Sequence, residues 1–251
     1  MKAYVGIDLG STTTKAVVLG DDGAMLGRGI TNSRSNYTVA CEVALAEALI
    51  NARFGLIAGE LDRSVLTASA KSEALSALER LFRKHQYLEQ LRVFGTISRR
   101  IIGSDLLARD QREALDDILT RMEAEAPELY APDASRKSDF FRDLAGSRYL
   151  SYAEECARSK RVGFDRLVGL FDKTILEVEN VSAGDGAFVS HAQAAYEDFK
   201  EAPEALGLAL ARATAVPLAV AASVGTGYGR QTLPFPKEQI RSEILCHGLG
   251  A

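Results

Sequence analysis

The sequence predicts an α/β fold: an N-terminal β-meander, a long helical excursion, and a late strand followed by a glycine-rich loop and a helix. Three observations predict it. Residues 3–9 (Ala-Tyr-Val-Gly-Ile-Asp-Leu) and 14–19 (Thr-Lys-Ala-Val-Val-Leu) are short β-rich runs, separated by the turn-forming Gly10, Ser11, Thr12 and Thr13. From Tyr37 onward apolar residues recur at helical spacing. At Val216–Ser223 the pattern returns to a short apolar run with a glycine-rich segment behind it.

Each element follows from local chemistry. Asp21-Asp22-Gly23 is a hairpin turn that leads into a third strand near Ala24–Thr31. Over Tyr37–Phe54, Val39, Val43, Leu45, Ala46, Leu49 and Ile50 mark a helix. A charged, mostly helical region runs over Glu60–Leu129. Leu75, Leu78, Leu81 and Phe82 share one face of it, and Leu106, Leu107, Leu115, Ile118 and Leu119 another. Pro127 and Pro132 punctuate its end. Ser138–Glu179 reads as helical with breaks near Gly146 and Gly163, residues 180–186 as a loop, and His191–Phe199 and Pro203–Thr214 as helices. Val216–Ser223 is a buried-strand candidate with Pro217 near its start, Val224–Arg230 is a loop, and Glu238–Gly250 begins as a helix. The helical stretch is too long for one crossover connection. It is expected to be an inserted subdomain over 56–189, with 1–55 and 190–251 forming one lobe.

Composition narrows the function classes. The chain has 251 residues, 47% hydrophobic and 25% charged, with net charge −4. That balance suits a globular protein and argues against a nucleic-acid partner. The longest apolar run, around Val216–Val224, is too short to span a bilayer. The N-terminus lacks a signal-peptide core, so no membrane association and a cytoplasmic location are expected. Cys41, Cys156 and Cys246 fit no zinc spacing, and Cys41 and Cys156 read as inert buried thiols. The charge runs Arg80–Lys84, Glu123–Glu128 and Arg158–Arg161 read as solvated helix faces, as do Arg99 and Arg100. His85 and His191 have no partner that the sequence identifies.

The chemistry concentrates in Asp8-x-Gly10-Ser11-Thr12-Thr13-x-Lys15. A phosphate loop needs small residues so that backbone N–H groups approach the oxygens, hydroxyls as further donors, and a carboxylate to hold Mg²⁺. This segment has all three between two strands. It lacks the spacing of a P-loop and of a dinucleotide fingerprint. The bland alternative is a polar hairpin between core strands. Arg230, at the end of Gly225-Thr226-Gly227-Tyr228-Gly229-Arg230, has a guanidinium fork suited to phosphate oxygens, and equally could cap a turn or be solvated.

Val5-Gly6-Ile7-Asp8-Leu9-Gly10-Ser11-Thr12-Thr13-Thr14-Lys15 resembles the first phosphate motif of the acetate/sugar kinase–heat-shock chaperone–actin superfamily. More narrowly, that string, Gly225–Arg230 and Ser242–Ala251 resemble, in order, the ATPases that activate 2-hydroxyacyl-CoA dehydratases and energise benzoyl-CoA reductase. The long insertion and the segment Asn32–Tyr37 are similar to the larger, alpha-type benzoyl-CoA reductase ATPase subunit. The resemblance implies a ribonuclease H-like (actin-type) lobe that binds ATP and Mg²⁺ through Asp8, Gly10, Ser11, Thr12, Thr13 and Lys15, with Arg230 as a further contact. It implies that Cys246 ligates a [4Fe–4S] cluster shared with a homologous ATPase subunit, and that reductase or dehydratase subunits and reduced ferredoxin are partners. A second lobe would complete the nucleotide site. No second Asp-Gly-Gly motif is found, Ala183-Gly184-Asp185-Gly186 having the wrong order. The 251-residue chain alone is therefore expected to hydrolyse ATP poorly. A sugar-type kinase lobe and a non-catalytic docking module are the alternatives.

Overall fold

The computed structural model describes residues 1–33, 36–103, 108–135, 140–159, 162–179, 181, 186–233 and 235–250. The expectations for Leu106, Leu107 and 183–185 fall outside them. The chain divides into two compact units. One comprises Met1–Ser76, Ala183–Val189 and Glu201–Ala251; the other comprises Ala77–Ser182 and Ser190–Lys200.

The first unit is built on a four-stranded sheet of order β3-β2-β1-β4, with β1 at Lys2–Leu9, β2 at Thr13–Gly20, β3 at Met25–Asn32 and β4 at Ala219–Thr226. β1, β2 and β3 are an antiparallel meander, and β4 runs parallel to β1. Alternation along β1 buries Ala3, Val5, Ile7 and Leu9 on one face, joined by Ala16 and Val18 of β2. Against that face lies α1, Tyr37–Asp62, capped by Asn36, whose side chain accepts a bond from the Val39 N–H at 3.3 Å. α1 approaches β3 most closely through small residues. Cys41, Ala44, Ala48 and Ala52 form its innermost face. A β-carbon on Gly29 would lie 2.1 Å from the Ala44 carbonyl oxygen, and one on Gly27 would lie 2.2 Å from that of Ala48. Helix and strand backbones therefore touch, which only glycine permits.

Three expectations need correction here. The boundary expected at 55 cuts through α1, because Phe54, Ile57 and Leu61 carry its buried face on to Asp62. The late strand is displaced to Ala219–Thr226, so Gly225 and Thr226 belong to it rather than to a loop. Nor is it buried: Ala219–Ala222 and Val224 are exposed. Pro217 has no N–H for a ladder, and its carbonyl accepts from the Met1 ammonium at 2.9 Å instead. β4 is the last strand of the sheet, and Gly225–Ile240 is an isolated bridge beyond it. The helix over Glu204–Ala215 ends where Arg53 Nη1 donates to the carbonyls of Ala213 and Val216, at 3.1 and 2.6 Å.

The further α-helices of the described residues are α2 (Ala68–Ile102), α3 (Arg109–Leu129), α4 (Phe141–Ser159), α5 (Phe164–Val178), α6 (Gly186–Asp198), α7 (Glu204–Ala215) and α8 (Glu243–Gly250). The second unit has its own core, centred on Tyr87, Phe94, Phe141, Tyr149 and Phe171. Phe94 and Tyr149 meet Phe171 at ring-centroid distances of 5.5 and 5.1 Å. Gly146 does not break α4: it lies inside the helix, where Phe171 fills the space of a side chain. Pro127 stands within the last turn of α3, and Gly163 does separate α4 from α5. The run Arg80–Lys84 is not simply solvated. Arg80 donates to the Tyr130 carbonyl, and Lys84 and His85 both bind Asp198. Arg99 pairs with Asp116 and Arg100 with Glu177. Glu125 takes Arg148 and the Tyr152 hydroxyl. Among the described residues no helix is long and apolar enough to cross a membrane.

Candidate functional site

Asp8 stands near the carboxyl end of β1, opposite Lys15 of β2 on one side and Thr226 of β4 on the other. Gly10, Ser11 and Thr12 form the turn that follows, closed by the Gly10 N–H donating to the Thr13 carbonyl at 3.2 Å. Ser11 and Thr12 are exposed. The structure thus gathers Asp8, Gly10, Ser11, Thr12, Thr13 and Lys15 at one edge of the sheet. In sheets with parallel neighbours this carboxyl edge is where ligands are bound.

The glycine-rich segment closes on the same edge. The Gly229 N–H donates to the Leu9 carbonyl at 3.0 Å, and the Arg230 N–H donates to the Gly227 carbonyl. Gly227 has φ of 105°, and a β-carbon there would lie 2.5 Å from the Leu9 carbonyl oxygen and 2.7 Å from Asp8 Oδ1. Both the backbone conformation and the close approach demand glycine. Arg230 opens a short 3₁₀ turn, with its side chain exposed. The segment beyond is tied to β4: the Arg241 N–H donates to the Gly225 carbonyl and Thr226 Oγ1 donates to the Arg241 carbonyl.

The two oxygens of Asp8 differ. Oδ2 faces the exposed Lys15 ammonium at 3.6 Å, a weak pair in water. Oδ1 is buried and has no hydrogen-bond partner among the described residues. A buried acceptor without a donor is costly unless a cation or water completes it. A carboxylate oxygen in a glycine cradle beside a turn of small, hydroxyl-bearing residues fits a Mg²⁺–phosphate group.

Cys246 lies on α8, half-buried, one turn after Ser242, whose hydroxyl accepts from the Leu245 N–H. Cys41 and Cys156 are buried, as expected: burial raises the Cys41 thiol to about 11, and Cys156 Sγ donates to Asp117. Among the described residues no three His, Cys, Asp or Glu side chains converge to hold a metal. A [4Fe–4S] cluster takes four sulfur ligands, so the described residues do not fit a cluster held by this chain alone.

Ser33 was invisible as a site residue in the sequence. Its N–H donates to the Thr12 carbonyl at 2.8 Å and its hydroxyl donates to the Gly10 carbonyl at 2.7 Å. The signals the sequence holds for it are a hydroxyl residue just after the third strand and its place in the segment Asn32–Tyr37 that carries part of the resemblance.

A β3-β2-β1-β4 sheet with a hydroxyl-rich turn after β1 and a carboxylate at its carboxyl edge defines an actin-type, ribonuclease H-like lobe. The family model described as the BadF/BadG/BcrA/BcrD ATPase family matches residues 5–251, and the chain belongs to that family. ATP and Mg²⁺ binding follow from membership of an ATPase family. No significant match was found among curated proteins or among solved structures.

Proposed function

We propose that this chain is the first lobe of an energy-coupling ATPase, in which Asp8 and the turn Gly10–Thr13 hold the Mg²⁺-bound phosphates of ATP. The observation that carries this reading is the orphaned Asp8 Oδ1, set between that turn and Gly227. Mg²⁺, when bound, would supply positive charge that offsets the charge of the phosphate oxygens. The chain's own residues bind and orient. Asp8 would hold the metal, directly or through water. Backbone N–H groups of the turn and the hydroxyls of Ser11, Thr12 and Thr13 would donate to phosphate oxygens, and Lys15 would balance their charge. Arg230 is assigned to the phosphates from the same edge.

The finer reading concerns coupling. Similarity of the three motifs to dehydratase-activating and benzoyl-CoA reductase ATPases, the larger subunit above all, supports a role in driving electrons from reduced ferredoxin to reductase or dehydratase subunits. A homologous ATPase subunit would pair with the chain, and Cys246 would be its one thiolate toward a shared cluster.

Titration with Mg-ATP and a phosphate-release assay on the whole protein test the nucleotide site. Wild type binds and turns over, and Asp8→Asn lowers turnover at least ~100-fold. Near-normal turnover in Asp8→Asn would sink the assignment. Iron and sulfide analysis after anaerobic purification tests the coupling role: both are expected, and both should fall in Cys246→Ser. Equal iron in the two proteins would remove Cys246 from it.

A further inference from the structure

We propose that Ser33 is the positioning residue of the phosphate-binding turn, acting through a directed hydrogen-bond relay that turns two backbone N–H groups toward the ligand. The proposal rests on the ATP-binding reading of that turn. Ser33 directly follows β3, and it reaches the turn by three bonds. Its N–H donates to the Thr12 carbonyl at 2.8 Å, its hydroxyl donates to the Gly10 carbonyl at 2.7 Å, and its Oγ lies 2.9 Å from Thr14 Oγ1.

The direction of the relay follows from proton counting. A serine hydroxyl has one proton, and that of Ser33 goes to Gly10. Thr14 must then be the donor in the Thr14–Ser33 contact. The order is Thr14 O–H to Ser33 Oγ, then Ser33 O–H to the Gly10 carbonyl. Thr14 is fully buried, so its rotamer is held by the core and the relay starts from a rigid point.

The consequence for a ligand follows from peptide planarity. In a trans peptide unit the C=O and the next residue's N–H point in opposite directions. Ser33 holds the carbonyls of Gly10 and Thr12 toward itself. The N–H groups of Ser11 and Thr13 are thereby directed away from it. Alternating amides that face one way form an anion-binding concavity. Ser33 touches neither metal nor phosphate; it decides which side of the turn carries donors.

The experiment compares wild type, Ser33→Ala and Ser33→Thr by Mg-ATP titration and by amide hydrogen exchange without ligand. Ser33→Ala deletes the relay and keeps the backbone bond to Thr12. It should weaken Mg-ATP binding about tenfold, the order expected for losing one or two hydrogen bonds of position. It should also speed exchange at residues 10–14 while the rest of the sheet keeps its protection. Ser33→Thr retains the hydroxyl and should restore both within about twofold. Affinity within about twofold of wild type in Ser33→Ala would overturn the proposal. If wild type itself fails to bind Mg-ATP, the ATPase reading falls, and exchange alone judges the relay: unchanged protection at 10–14 in Ser33→Ala overturns it, and faster exchange reversed by threonine upholds it.

Discussion

Gly227 closes on both Leu9 and Asp8. With φ of 105° and Asp8 Oδ1 2.7 Å from the place of a β-carbon, residue 227 tolerates no side chain without moving either β1 or the loop. Gly227→Ala is expected to cost about 2 kcal/mol in a urea unfolding series, from the left-handed backbone alone, and to weaken Mg-ATP binding as Asp8 is displaced. A variant of wild-type stability and affinity would show that the cradle is not needed. The sequence singled out Asp8, Gly10 and Ser11 because a phosphate loop needs those types in that order, and the structure places them together at the end of β1. Ser33 was not, because its partner depends on register. A bulge places an extra residue, Leu26, between the pairs Val18–Gly27 and Leu19–Met25. Counting back from Leu19–Met25 without that bulge would set Thr12 opposite Asn32. With it, Ser33 comes beside the turn.

At the scale of elements, the pairing of α1 with β3 depends on the absence of side chains. Sequence periodicity favours the large residues Val43, Leu45 and Leu49, yet these are only partly buried, and Ala44, Ala48 and Ala52 are wholly so. Alanine is a weak periodic signal, being common on both faces of a helix. Its meaning here comes from Gly27 and Gly29 on the strand. Gly29→Ala must push its methyl into the Ala44 carbonyl oxygen, 2.1 Å away. We expect a loss of about 3 kcal/mol by urea denaturation, at the upper end for overpacking. A loss below about 1 kcal/mol would mean that α1 can lift off β3 freely. At the start of the same helix, Asn36→Ala should cost about 1 kcal/mol through the lost cap. β4 teaches the converse: its apolar run suggested burial, but a strand at the edge of a sheet owes its exposure to its position, which composition does not encode.

For the molecule as a whole, acid sensitivity is expected from two groups of the helical unit, His191 and Asp198. Burial against Phe82 holds His191 below its ordinary 6.5, with Glu89 opposing and His85 reinforcing the shift. The unfolded chain therefore binds the proton more readily, and this contribution to stability is present above pH 6.5 and lost as pH falls through the depressed folded value. Asp198 acts in the same sense at lower pH. Its bond from Lys84, with His85 beside it, holds the carboxyl below 3.8, and that stability disappears as the pH drops through the folded value. Thermal melts from pH 7.5 to 5 should show a falling Tm, with a shallower fall in His191→Gln; an equal slope in both proteins would exclude His191 as the cause.

The sequence by itself determined the α/β class, the meander and the helical character of the middle, and it singled out Asp8–Lys15 as the candidate phosphate turn. Those features rest on local preferences and on residue types that one chemistry requires. Tertiary structure alone decided the strand order, the contact between Gly27, Gly29 and the alanines of α1, and the closing of Gly227 on Asp8. It also decided the pairing of Lys84 and His85 with Asp198 and the place of Ser33 beside the turn. These join residues distant in the chain or depend on a one-residue register shift, and such relations exist only after the backbone has folded.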